Sequence, residues 1–188
     1  VETVTLQGPG RSYGIELSLK KSGRLNGWIN YSYARTFIKL DSEFPEERIN
    51  KGNYYPSSYD MPHTVNLVAN YKITKRFSAS YNLIYNTGKP VTYPVSTYGF
   101  KGFEAVNYSQ RNAYRIPDYF RMDLGLSLEA GHKIKRLAQS YFTFSVYNLV
   151  GRDNPYSVFF DLIDGQVQGY KLVVFGRAIP TLGYNFEF

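Results

Sequence analysis

Long segments of this sequence alternate strictly between apolar and polar residues. The clearest is YFRMDLGLSLEA at residues 119–130, in which every second residue from Phe120 to Ala130 is apolar. A period of two places all the apolar side chains on one face of a β-strand. Strands of soluble proteins usually have about five or six residues. The greater length of this segment therefore favours a strand that crosses a membrane, which takes about 9 to 11 residues.

The same alternation recurs along the chain, at residues 12–20, 25–37, 63–73, 77–88, 140–150 and 170–188, with a partial strand at 1–7 and an extension of the sixth strand through 151–160. Short turns alternate with longer loops, which lie at residues 41–62, 89–118 and 161–169. Outer-membrane barrels have tight periplasmic turns and longer external loops. The sequence therefore predicts an all-β fold, a transmembrane antiparallel β-barrel.

The composition agrees with a barrel and excludes several other classes of protein. The chain has 19 Tyr and 13 Phe, which are favoured in strands and at membrane interfaces. No apolar run reaches the roughly 20 residues of a membrane-spanning helix. The absence of Cys excludes a disulfide framework, and two His with no ligand spacing predict no metal site. Because no motif of paired acids, nucleophile or phosphate loop occurs, we expect neither a cofactor nor an enzyme.

The formal net charge of +7 is concentrated in the short turns. These turns contain no acid and carry a set of basic residues: Lys20, Lys21, Arg24, Lys72, Lys75, Arg76, Lys133, Lys135 and Arg136. An excess of base on a soluble protein would suggest nucleic acid. Confinement to one rim of a barrel instead favours anionic lipid headgroups, and we expect the three basic turns to lie at that rim.

The order of the segments resembles the C-terminal part of a TonB-dependent outer-membrane receptor of the Bacteroidetes type. The resemblance covers essentially the whole chain and rests on GRSYGIELSLKK, LNGWINYSYARTF, NYYPSSYDMPHTVNLVANYKI, YNTGKPVTYP, RIPDYFRMDLGLS, FSVYNLVGRDNPYSVFF and YNFEF. In that family a barrel of about 22 strands surrounds a plug. The resemblance implies that residues 1–188 are a C-terminal segment supplying about the last eight strands, with the plug and earlier strands elsewhere.

The resemblance also implies a function and a set of partners. The family imports a large, scarce nutrient, such as an iron chelate, a glycan or a peptide, across the outer membrane of a Gram-negative bacterium. The partners implied are outer-membrane lipid, the plug and remaining barrel of the same receptor, the TonB energising complex, the barrel-assembly machinery and a surface lipoprotein, but no nucleic acid.

Exposed tyrosines in the long loops are the candidate ligand-binding residues. Tyrosine stacks on sugars, siderophores or peptides at a low entropic cost, and the candidates are Tyr54, Tyr55, Tyr59, Tyr93, Tyr98, Tyr108, Tyr114 and Tyr156. Alternatively, these rings pack the loops together and belong to an aromatic girdle. On the polar face of the strands, the spacing of Arg121 and Asp123 predicts a lateral ion pair.

The segment LGYNFEF at residues 182–188 alternates like a membrane strand. In outer-membrane barrels such a strand closes the barrel and resembles the signal read by the barrel-assembly machinery, which makes Tyr184, Phe186 and Phe188 candidate assembly residues. Two other functions stay open. One is a self-contained eight-stranded barrel with a structural or adhesive role. The other is a secreted β-sandwich that binds glycans, although strands this long fit it poorly.

Overall fold

The computed structural model describes residues 6–130, 139–163 and 166–187, which form fourteen β-strands and two short 3-10 turns, Pro45–Glu47 and Ile49–Gly52. In chain order the strands are β1 (Gly10–Lys21), β2 (Leu25–Ile38), β3 (Tyr55–Pro56), β4 (His63–Lys72), β5 (Phe77–Asn86), β6 (Pro90–Val91), β7 (Pro94–Phe100), β8 (Phe103–Tyr108), β9 (Tyr114–Arg115), β10 (Tyr119–Glu129), β11 (Gln139–Tyr147), β12 (Pro155–Ile163), β13 (Gln166–Val173) and β14 (Ile179–Glu187). Across these residues, no helix is long and apolar enough to span a membrane.

Seven long strands build one antiparallel sheet in the order β1-β2-β4-β5-β10-β11-β14, and the short β3 pairs with β2. Along the chain, each of these seven strands lies beside the next of the seven, which is the up-and-down order of a barrel wall. The sheet is open, with β1 and β14 at its two edges. The described residues therefore form an open wall of strands and not a closed barrel.

The strand register gives the sheet one apolar and one polar face, because directly opposed residues in antiparallel strands project to the same side. One row across the apolar face consists of Leu19, Ile29, Leu67, Leu83 and Met122. A row across the polar face consists of Asn26, Asn70, Ser80, Gly125, Ser145 and Thr181. The alternation in the sequence thus continues coherently from strand to strand.

Aromatic residues form two belts on the apolar face, one on each side of the aliphatic row. The belt nearer the loops contains Tyr31, Tyr33, Tyr85 and Phe120, and the belt nearer the turns contains Tyr71, Phe77, Phe142, Phe144 and Tyr184. In the second belt the rings of Phe142 and Tyr184 are 4.8 Å apart. Two aromatic girdles that flank an aliphatic band are the pattern of a transmembrane β-barrel.

The structure corrects two predicted strands. The segment 170–188 is not one strand, because β13 ends at Val173 and β14 begins at Ile179, with Phe175 in the left-handed region at φ 53° between them. The sixth strand does not continue through residues 151–160 either. The chain leaves the sheet at Asn148 (φ 51°). Strands β12 and β13, which follow, pair with each other as a separate hairpin.

Two hairpins extend from the loop end of the sheet. Within residues 89–118, which the sequence predicts as a loop, β7 and β8 form one hairpin and the short strands β6 and β9 pair below it. The second hairpin is β12–β13, and β13 lies against β7. Of the predicted loop at 161–169, residues 161–163 belong to β12 and residues 166–169 belong to β13.

Candidate functional site

The turns and the loops lie at opposite ends of the sheet. The β1–β2 and β4–β5 turns are neighbours, since the Arg24 guanidinium donates to the carbonyls of Lys72 at 2.8 Å and Ile73 at 2.7 Å. The long connections leave the opposite strand ends. The orientation predicted for the basic turns is confirmed for these two, and the third turn, Gly131 to Arg136, lies outside the described residues.

A buried carboxylate anchors the first long loop. The Asp60 side chain is 0% exposed and lies between two guanidinium groups, with Arg35 Nε at 3.1 Å and Arg115 Nη2 in contact on its other oxygen. The backbone N–H of Thr36 donates to the same carboxylate at 2.7 Å. Arg115 Nη1 also donates to the carbonyls of Asp60 at 2.7 Å and Gly88 at 2.8 Å. This arrangement joins strand β2, the β3–β4 loop and strand β9.

Burial of the carboxyl group would by itself raise the pKa of Asp60. The hydrogen bonds from the Thr36 N–H, Arg115 and Arg35 outweigh that cost and hold the pKa below its ordinary value. A depressed folded-state pKa stabilises the loop above the unfolded-state pKa, and this stabilisation is lost as the pH falls through the folded-state value.

We expect the long loops of the wild-type protein to open progressively below about pH 4, because protonation of Asp60 removes the ion pairs. The Asp60→Asn variant has no such titration at this position. The measurement is the rate of pepsin cleavage within residues 89–118, followed from pH 4.5 to pH 2 in both proteins, and the ratio of the two rates should approach one at the acid end. A constant ratio over this range would show that Asp60 does not control the loop.

Further side-chain bonds tie the long loops to one another. Asn50 and Arg111 exchange two hydrogen bonds, at 2.9 Å and 2.7 Å, between loops 61 residues apart in the chain. Asn112 donates to the Pro56 carbonyl at 2.8 Å. The Asp118 carboxylate accepts from the Tyr85 hydroxyl at 2.7 Å and from the backbone N–H of Gly88 at 2.8 Å, and these two bonds lower its pKa. The loop end is therefore a bonded framework with fixed positions for its exposed rings.

A cavity of about 390 Å³ opens between the loop segments at this end. Its wall includes Asn86, Thr87, Lys89, Tyr119, Tyr147 and Tyr156. The ammonium group of Lys89 lies 5.9 Å from the centre of the Tyr156 ring, which is 70% exposed. Aromatic walls with a few polar groups are typical of small-molecule sites of about 300 to 1,000 Å³. The cavity can accept one chemical group of a larger ligand.

Seven of the eight predicted ligand tyrosines fall into three groups. Tyr156 lines this cavity. Tyr93 and Tyr114 belong to a cluster in which the Tyr93 ring is 5.6 Å from Tyr114 and 4.5 Å from Phe160. The remaining exposed rings are spread over the loops, at Tyr54, Tyr59, Tyr98 and Tyr108.

Tyr55 differs from the other seven candidates. It is 3% exposed and lies in β3, paired with Ile38 of β2. Its burial removes the ring from any surface that a ligand could touch in this conformation. Tyr54, by contrast, has the Arg11 guanidinium 4.2 Å from its ring centre, which links the loop to the edge strand β1.

The predicted ion pair on the polar face is confirmed and belongs to a larger network. Arg121 lies 3.0 to 3.1 Å from Asp123 Oδ2 and donates to the hydroxyls of Tyr119 at 3.2 Å and Tyr147 at 3.0 Å. The other oxygen of Asp123 accepts the backbone N–H of Asn148 at 2.9 Å. Tyr119 and Tyr147 thus connect the cavity to this hydrogen-bonded network on the polar face.

Among the described residues, no group of three or more His, Cys, Asp or Glu could hold a metal ion. The predicted assembly residues Tyr184 and Phe186 lie in β14, and both side chains are about half exposed. They face the apolar side of the sheet, opposite Phe142 and Ser140. Phe188 lies outside the described residues.

A family model described as TonB dependent receptor-like, beta-barrel matches residues 2–149, which include β1 to β11. The chain belongs to the TonB-dependent receptor-like β-barrel family. No curated protein matches the chain, and no solved structure does. The family match confirms that the sequence resembles a TonB-dependent receptor β-barrel, and the two-faced antiparallel sheet agrees with that family.

Membership of the TonB-dependent receptor-like family determines the broad role of the chain. The family consists of outer-membrane transport receptors of Gram-negative bacteria, which are not enzymes. Its members work together with a plug domain, TonB and membrane lipid. The apolar face of the sheet is accordingly its lipid side, and the polar face is the lumen side.

Proposed function

We propose that this chain forms the C-terminal barrel wall and the external ligand loops of a Bacteroidetes-type TonB-dependent receptor. The receptor imports a large, scarce nutrient, such as an iron chelate, a glycan or a peptide. Residues 1–188 form the C-terminal segment of a barrel of about 22 strands and supply about its last eight. The alternative is a self-contained eight-stranded barrel with a structural or adhesive role.

The observation that carries the proposal is the cavity beside Tyr156 and Lys89. It lies on the lumen side of the loop end, because two of its wall residues, Asn86 and Tyr119, are opposed to each other on the polar face. A ligand that arrives from outside therefore meets an aromatic ring and a cation where the import path begins. A structural barrel has no need of a cavity at this place.

The polar face supports the transport half of the proposal. Its row of small and hydrogen-bonding residues from Asn26 to Thr181 offers a polar wall, against which we infer that the plug domain docks. The TonB complex acts through that plug. We further propose that the loops carry a surface lipoprotein and that Tyr184 and Phe186 of β14, together with Phe188, are read by the barrel-assembly machinery.

Uptake by variants of the full receptor tests the proposal. We expect Tyr156→Ala to raise the nutrient concentration for half-maximal uptake about tenfold, because a lost ring contact costs up to about 1.5 kcal/mol. Growth of a deletion strain on candidate nutrients first identifies the cargo, and radiolabelled uptake then gives the concentration dependence. The matched control is Tyr59→Ala, since Tyr59 is 81% exposed and lies outside the cavity wall.

Equal uptake by the Tyr156 variant and the wild type would exclude the cavity as the ligand site. A deletion strain that grows like the parent on every nutrient, but loses surface adhesion or envelope integrity, would instead support the structural barrel.

A further inference from the structure

A groove of about 260 Å³ lies on the lipid side of the sheet near the turn rim. Its floor is formed by Gly27 of β2 and Ala69 of β4, which are directly opposed. Its apolar walls include Leu19, Ile29 and Leu67 of the neighbouring row, and Leu25 closes the turn side. Leu19 is 71% exposed. The groove is therefore an apolar depression between larger side chains, and it is separate from the nutrient cavity.

The backbone maintains this depression. Gly27 has a φ of 154°, and a Cβ at this position would collide with the backbone carbonyl of Val68. No larger residue can therefore occupy position 27 without a shift of the strand. The side chain of Ala69 is also small. Positions 27 and 69, which are neighbours in one outward-facing row, therefore leave the space between Leu19 and Leu25 open.

The basic residue Lys21 lies at one end of the groove. Lys21 is directly opposed to Gly27, so its side chain leaves the same face of the sheet in the same row. Arg24 lies nearby in the β1–β2 turn, with its guanidinium 5.2 Å from the Tyr71 ring centre. Within residues 6–130, 139–163 and 166–187, every ion pair involves acids and bases away from this turn. The positive charge of Lys21 is thus not matched by a carboxylate there.

We propose that this groove binds a phospholipid of the leaflet at the turn rim, with one acyl chain over Gly27 and Ala69 and the phosphate at Lys21. An apolar depression beside a lysine fits a molecule with a hydrocarbon chain and an adjacent anion. Free phosphate would leave the groove empty, and a neutral lipid would leave the lysine unpaired. This site rests on the membrane position of the barrel and is independent of the nutrient that the receptor imports.

Lipid titration of the full-length receptor, purified in neutral detergent and followed by native mass spectrometry, tests the site. The probes are phosphatidylglycerol, phosphatidylcholine with the same chains, and glycerol phosphate. Lys21→Gln should weaken phosphatidylglycerol binding about fivefold, the factor contributed by one lysine near an anionic surface. Ala69→Leu fills the groove and should weaken binding of both lipids about tenfold, the scale on which one methylene changes the occupancy of an apolar pocket.

Two matched controls lie elsewhere on the protein. Ala79→Leu enlarges an alanine of the same face outside the groove, and Lys51→Gln removes a lysine of the turn Ile49–Gly52 at the loop end, outside both cavities. Both should bind phosphatidylglycerol as the wild type does. Binding within about twofold of the wild type in Lys21→Gln and Ala69→Leu would overturn the proposal, as would competition by glycerol phosphate at concentrations equal to those of the lipid.

A wild-type measurement covers the case in which Ala69→Leu does not fold. Phosphatidylglycerol with a photoreactive acyl chain should label residues 19–29 or 67–69, and labelling confined to other strands would exclude the groove.

Discussion

Replacement of Asp60 by Ala should destabilise the closed arrangement of the external loops by about 3 kcal/mol. The carboxylate is fully buried, and its removal leaves Arg35 and Arg115 without their shared partner. Breaking a buried pair costs about 3 to 5 kcal/mol. We expect the lower end of that range because the two arginine side chains are 24% and 29% exposed and regain part of their hydration.

Native-state proteolysis measures this change directly, since cleavage follows the population of the open form when opening is fast. Trypsin should cut after Arg111 about a hundredfold faster in Asp60→Ala than in the wild type, which is the population change that about 3 kcal/mol produces. Asp41→Ala is the matched control. Its pairs with Lys39 at 2.9 Å and Arg48 at 3.4 Å are largely exposed, so their loss should cost at most about 1 kcal/mol. Similar rates in the two variants would contradict the anchoring role of Asp60.

The second large effect is expected on the lipid side of the sheet, where Leu124→Arg should cost about 2 to 4 kcal/mol. Leu124 is opposed by Tyr81 on one side and Val146 on the other, within the band between the two aromatic belts. A guanidinium there loses its hydration in hydrocarbon. Leu126 occupies the next outward position, in the row of Tyr71 and Phe144 that belongs to the belt nearer the turns, so Leu126→Arg should cost less than Leu124→Arg.

Urea unfolding of the receptor in lipid vesicles gives the free energy, and heat-modifiable gel mobility gives the folded fraction in outer membranes. Ser127→Arg is the control in the same strand, since Ser127 is opposed by Ser78 and Thr143 on the polar face. It should change the free energy of unfolding far less than Leu124→Arg. If all three arginine variants are equally stable, the assignment of the two faces is wrong.

The antiparallel sheet could be predicted from the sequence because an alternation with a period of two is a local property of each segment. Each strand segment specifies its own outward face, and the register only has to keep that face continuous, as the row from Leu19 to Met122 shows. The ion pair between Arg121 and Asp123 could be predicted from the sequence for the same reason, since residues two apart in a strand share a face.

The loop end could not be predicted in the same way. Near Asn148 and Phe175 the alternation of apolar and polar residues continues in the sequence, but the strands end there. These ends depend on residues with a left-handed backbone and on hydrogen bonds to residues distant in the chain. Asp60 meets Arg115 across 55 residues of chain, and nothing in the local pattern around either residue indicates the contact. Asp60 is one of five acids in the loop at residues 41–62, and nothing in the sequence distinguishes it from a solvated loop charge. The burial of Tyr55 likewise depends on the pairing of β3 with β2.

The side chains that fasten the loops mostly bind backbone atoms. Arg115 donates to the carbonyls of Asp60 and Gly88, Asn148 donates to those of Arg152 and Phe175, and Asn154 exchanges two bonds with the backbone of Phe120. Every residue type carries a carbonyl, so these bonds survive most replacements at the residue that accepts them. The hairpin tips can therefore diversify in sequence while the chain keeps its path. A receptor built in this way can acquire a new cargo by changing its loop side chains, with no redesign of the wall that supports them.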